Sequence, residues 1–313
     1  MIARGVVLDV RAERLLDDLA LAASLGVQQV RLDVPWAAAQ PKAGAFDGDV
    51  LEGVHAAASA ARAAGLAPWL RLLQPAVPHW FDDEGGFADE RNAGRWWPRW
   101  VAHSAEQFAD VVAGWVPFEA PFAMSNRLEP ADPQRHGELM HHLVVAWRDA
   151  WRILRGVVPV ATSLDVAVER PDDDSPTAVA EARRRDQLRW GLWLDGLNDG
   201  IVRIPGRYER PLADFAGSCD VLGIAVRTQV ETCLYRAAEQ SHDRPLALTF
   251  RPVGDTDGLR AQSITAMWAE ARRAGESVAL QSVTVTPFVD APGTPGIVTV
   301  ERELKDSGDA FVN

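Results

Sequence analysis

Eight short apolar runs alternate along this chain with longer stretches of helical periodicity, and that alternation narrows the folds open to it. The runs are Gly5–Val10, Val27–Val34, Leu66–Leu73, Val111–Phe118, Val157–Leu164, Val221–Val226, Leu246–Phe250 and Val278–Thr286. Helical patterns fall between them, near residues 13–25, 50–64, 98–111, 134–155, 175–198, 230–240 and 257–274. Strands separated by helices pair in parallel, because parallel neighbours need a crossover connection. Eight such units predict an α/β fold, a (β/α)8 TIM barrel using residues 1–313 as a single domain. An open doubly wound sheet competes on pattern alone. No G-x-G-x-x-G or Walker sequence supports its nucleotide-binding form.

Composition excludes several classes of function. A chain 47% hydrophobic and 24% charged is that of a soluble globular protein. The net charge of −12 argues against nucleic acid and anionic membrane as partners. Cys219 and Cys233 are too few for a disulfide framework and form no C-x-x-C. Met1 to Gly5 lacks the apolar core of a signal peptide, so a cytoplasmic location is expected. Abundant Ala, Arg and Trp fits a bacterial source with GC-rich codons. The composition leaves the oligomeric state open.

In a barrel, chemistry sits at the C-terminal ends of the strands. Those ends resemble family 1 glycoside hydrolases, the β-glucosidase and 6-phospho-β-glucosidase family. Val30-Arg31-Leu32-Asp33-Val34-Pro35-Trp36 with Pro41 is similar to that family's R-F-S-I-S-W…P. Gly65 to Leu70, continued by Pro78-His79-Trp80-Phe81, resembles its G-I-x-P…T-L-x-H-x-x-x-P-x-W-L. Trp115 to Pro121 matches the framing of W-x-T-x-N-E-P, and His141 to Trp147 resembles H-H-L-L-x-A-H. Trp190 to Gly200, Asp220 to Ile224, Arg244 to Thr249 and Lys305 to Ser307 follow in the family's order. The resemblance runs from about residue 26 to 307. It implies a family 1 barrel with shortened loops at the mouth.

The resemblance implies a frame whose chemistry has changed. A retaining glycosidase uses two carboxyl groups, one to protonate the leaving oxygen and one to attack the anomeric carbon. Carried over position by position, the family's acid/base Glu falls on Ala120 and its nucleophile on Phe250. The third-strand His falls on Gln74, and the N-Y-Y after the sixth strand becomes Ala225-Val226-Arg227.

Glu119 is then the remaining catalytic candidate. Burial at a strand end would raise its pKa and suit it to acid/base work. The plainer expectation is an ion pair with Arg31. Asp33 is a weaker second carboxylate, sharing a face with Arg31 by alternation and so able to pair with it. Arg31, Trp36, Gln74, Trp80, Arg227 and Arg251 are the candidate ligand-binding residues. The three arginines and Gln74 would suit an anionic ligand. Packing under a loop is the plainer role for Trp80, and barrel core the plainer role for Trp96, Trp97 and Trp100. His141 and His142 point about 100° apart on a helix and make no metal pair.

Three functions remain. The favoured one is a family 1-like protein that binds a small glycoside or anionic metabolite without ordinary glycosidase activity. The others are altered chemistry at Glu119, of proton-transfer, lyase or isomerase type, and a β-glycosidase with displaced carboxylates. No cofactor and no metal are expected in any of them.

Overall fold

The computed structural model describes residues 2–74, 76–129 and 132–313. Its main sheet has eight strands: β1 (Ala3–Leu8), β2 (Gln29–Asp33), β3 (Ala67–Arg71), β4 (Gly114–Val116), β5 (Leu164–Asp165), β6 (Leu222–Val226), β7 (Leu246–Phe250) and β8 (Leu280–Val285). Every neighbouring pair is parallel, in the order β4-β3-β2-β1-β8-β7-β6-β5. The sheet is curled, with helices outside it. At its two ends, Trp115 N–H donates to the Pro159 carbonyl (2.9 Å) and Ala161 N–H to the Trp115 carbonyl (2.8 Å).

Side-chain alternation gives the sheet two unlike faces. Leu8, Leu32, Leu70, Ile224, Leu248 and Val283 point outward into the apolar layer under the helices. The concave face is lined by small or polar residues around Trp69, with Val116, Ala161, Val221 and Ala247 packed beside it. Gly114 is dictated by this arrangement, because a Cβ there would overlap the Trp69 ring. A curled sheet leaves little space on its inner side, so one large ring is balanced by glycine and alanine.

The fifth apolar run departs most from expectation. Only Leu164–Asp165 forms a ladder, preceded by isolated bridges at Val160 and Ala161. The cause is Thr162, whose hydroxyl accepts from Gly223 N–H (2.8 Å) and donates to the Gly223 carbonyl (2.9 Å). One side chain thereby replaces backbone pairing. A Cβ at position 223 would overlap the Thr162 carbonyl.

The helix expected near 98–111 starts earlier, at Glu90, and runs to Phe108. Asp89 caps it by accepting from Asn92 N–H (2.8 Å). Trp97 and Trp100 are fully buried, and their indoles donate to the Ala146 and Leu72 carbonyls. The cluster is therefore core. The helical pattern at 175–198 is interrupted by a π-helical turn at Gln187–Gly191. No described helix is long and apolar enough to cross a membrane.

Candidate functional site

A cavity of about 670 Å3 opens where the strand C-termini meet. Its wall includes Arg71, Gln74, Glu119, Ala120, Arg227 and Arg251. A more open depression adjoins it, lined by Glu169, Arg170 and Arg185 and sharing Arg189 and Thr228.

The floor is an ion-pair network carried on four strand ends. Arg31 on β2 donates to Glu119 Oε2 (2.7 Å) and to Thr249 Oγ1 on β7 (3.2 Å). Arg71 on β3 donates to the same Glu119 oxygen (2.9 Å) and holds Asp33 through both carboxylate oxygens (2.6 and 2.7 Å). The Arg31 and Glu119 side chains are 9% and 16% exposed, so neither charge could stay there unpaired.

This network shifts the proton affinity of its members. Burial pushes the Glu119 carboxyl up, but Arg71, Arg31 and Arg251 outweigh it and hold its pKa below the ordinary carboxylate value. The expectation that burial would raise Glu119 is therefore corrected: three guanidiniums overrule desolvation. Burial also opposes charge on Arg71, yet Glu119 and Asp33 together raise its pKa. At Arg31 burial prevails, with Arg71 adding to it, and the pKa falls.

The other candidates divide. Gln74, Arg227 and Arg251 line the cavity, and Arg31 lies beneath Glu119 as its partner. Asp33 pairs with Arg71 rather than Arg31, because the parallel register sets Asp33 directly beside Arg71. Trp36 is corrected to a core residue. It is completely buried, bonded to Gln40 Oε1 (2.8 Å) and stacked 5.8 Å from Trp100. Trp80 donates to the Gln40 carbonyl (2.9 Å) and packs edge-on to Trp96, away from the cavity wall. His142 Nδ1 lies 2.9 Å from the Phe87 carbonyl, tying its helix to the loop below.

Ala120 and Phe250 meet different fates. Ala120 lines the cavity, in the left-handed region at φ 53° and ψ 58°, just before the helix Pro121–Leu128. Phe250 is buried on the outer face in register with Val226 and Val285, while Thr249 and Arg251 line the cavity. Phe250 therefore does not plug the site.

Four charged wall residues, Arg71, Arg127, Asp165 and Arg189, were not among the candidates from sequence. Arg71 looked like part of an apolar strand, and only the β2–β3 register identifies it. Asp165 ends β5 and accepts from Phe122 and Ala123 N–H (3.0 and 2.8 Å), anchoring the helix that follows Ala120. Burial pushes its carboxyl up to about 6, against Arg189 and the two amide donors. Arg189, from the π-helical turn, pairs with Glu169 (2.6 Å) and lies 3.4 Å from Asp165. π-Helical turns often mark functional sites, but this one had no signal in the helical periodicity.

Solved structures share this architecture. A family 1 β-glucosidase from Thermotoga maritima superposes with a TM-score of 0.85 at 16% identity, over 100% of this chain and 96% of that one. A psychrophilic β-glucosidase from Micrococcus antarcticus gives 0.85 at 16% identity, over 99% and 96%. A β-glycosidase from Pyrococcus horikoshii gives 0.81 at 17%, over 96% and 83%. At such identities the likeness speaks for the fold. The sequence model of glycosyl hydrolase family 1 matches residues 8–217, about two thirds of the chain. The chain belongs to glycosyl hydrolase family 1.

Proposed function

We propose that this protein binds a small glycoside or comparable polar metabolite at the mouth of a closed (β/α)8 barrel and lacks ordinary retaining glycosidase activity. Backbone bonds from Trp115 to residues 159 and 161 support closure between β4 and β5. The observation that carries the functional reading is the commitment of the cavity's carboxyl groups. Retaining hydrolysis needs a protonated acid and a free carboxylate nucleophile about 5–5.5 Å apart. Glu119, held below its ordinary pKa by Arg71, Arg31 and Arg251, has no proton to give near neutrality. Asp165 spends one oxygen on each of two backbone amides. Among the described residues no other carboxylate lines the cavity. The same pairing counts against Glu119 as an acid in altered chemistry.

What remains suits hydroxyl recognition. Glu119 Oε1 has no protein partner among the described residues, and Gln74 offers an amide at the same wall. A carboxylate fixed by arginines is a good acceptor for a ligand hydroxyl. Soaking crystals with methyl β-glucoside provides the test. An intact glycoside beside Gln74 and Glu119 is expected. A cleaved sugar overturns the claim of inactivity, and an empty cavity at saturating glycoside overturns the claim of binding.

A further inference from the structure

Three arginines at the mouth, Arg127, Arg227 and Arg251, converge on the cavity without a bonded partner among the described residues, although the charge of Arg251 is felt by Glu119. Arg227 and Arg251 each lie two residues beyond a concave-facing strand residue, Ala225 and Thr249, and those two are register partners. Arg251 N–H continues the ladder to the Val226 carbonyl (3.4 Å). The two guanidinium-bearing residues therefore leave adjacent strand ends on the same face. Arg127 reaches the same cavity from the helix Pro121–Leu128. Among the described residues, none of the three has a side-chain hydrogen bond or an ion-pair partner, whereas Arg31, Arg71 and Arg189 all do.

All three are exposed and hydrated, so stability does not explain their convergence on one cavity. A chain of net charge −12 has acids in excess, yet among the described residues none hydrogen-bonds or ion-pairs with these three. Five arginines line the cavity against Glu119 and Asp165, and both acids are already engaged. A concave site with an excess of one sign also focuses its field on an incoming ion of the other.

Resting on the binding reading above, we infer that the ligand carries an oxyanion (phosphate, sulfate or carboxylate) seated among Arg127, Arg227 and Arg251, with its hydroxyl-bearing part toward Gln74 and Glu119. The planar guanidinium fork matches all three oxyanions.

Calorimetric titration of the whole protein with methyl β-glucoside and methyl β-glucuronide isolates the charge, since the two differ by one carboxylate. The glucuronide is expected to bind about tenfold or more tightly than the glucoside, the size of one charge-assisted bond. Arg227→Gln and Arg251→Gln should each remove about that factor, and added salt should shrink it. Inorganic phosphate and sulfate serve as competitors. Displacement of glucuronide by phosphate or sulfate at lower concentration than by acetate assigns the seat to a tetrahedral oxyanion, and the reverse order to a carboxylate. Equal affinity for both glycosides, unchanged in the variants, overturns the inference and leaves glycoside binding standing. Failure of all these probes to bind overturns both.

Discussion

Arg31 and Arg71 on the floor of the cavity are each bonded to two other residues, while Arg127, Arg227 and Arg251 on its rim have no such partners among the described residues. The floor pair is mostly buried, and a guanidinium taken out of water must be matched there. Matching ties the ends of β2, β3, β4 and β7 into one unit, so these charges are part of the architecture. The rim arginines are exposed, and hydration supports them. Stability therefore does not explain their convergence on one cavity. The same residue type does structural work in one layer and is left available for a ligand in the next.

Substitutions can break this contrast, beginning on the floor. Arg71→Met strands Asp33 and leaves Glu119 with one guanidinium, and a loss of about 3–5 kcal/mol in urea unfolding is expected. A loss below about 1 kcal/mol would mean that the floor network is not structural. Glu119→Gln keeps the shape but weakens two charge-assisted bonds, and about 2–3 kcal/mol is expected given its partial exposure. Because the folded Glu119 pKa is depressed, its contribution is present above its unfolded value and lost as pH falls through the folded one. The Gln variant should lack that part of the acid transition.

Asp165 has the opposite sign. Its carboxyl is raised to about 6 in the fold, so the folded state holds a proton that the unfolded chain has released between about pH 4 and 6. Stability should fall by about 2 kcal/mol as pH rises through that window, and Asp165→Asn should flatten the profile. The rim supplies the smallest effect. Arg227→Gln and Arg251→Gln should change the unfolding free energy by no more than about 0.5 kcal/mol. A large loss in either would move that residue from rim to floor.

Where the sequence was legible, it was so for the outer face. The runs ending at Leu73, Val226 and Phe250 announce strands because their outward residues feed the helix layer. The concave face is harder to read, since its identities depend on what lies across the sheet. Alternation puts Arg31 and Asp33 on one face and invites their pairing, but register supplies Arg71 as the nearer partner. Likewise position matching places Phe250 at the site, whereas alternation turns it outward and leaves Arg251 there. Trp36 was misread because an aromatic at a strand end can serve a ligand or the core, and only the ring packing decides. The short fifth strand depends on one Thr162 hydroxyl, which no periodicity encodes.

Turnover of an aryl β-glucoside, followed by release of the phenol from the purified protein near neutral pH, tests the loss of hydrolysis most directly. A rate equal to that of the Glu119→Gln, Asp165→Asn double variant is expected. Release well above that of the double variant would show that the two carboxylates still work as a catalytic pair and would contradict the account.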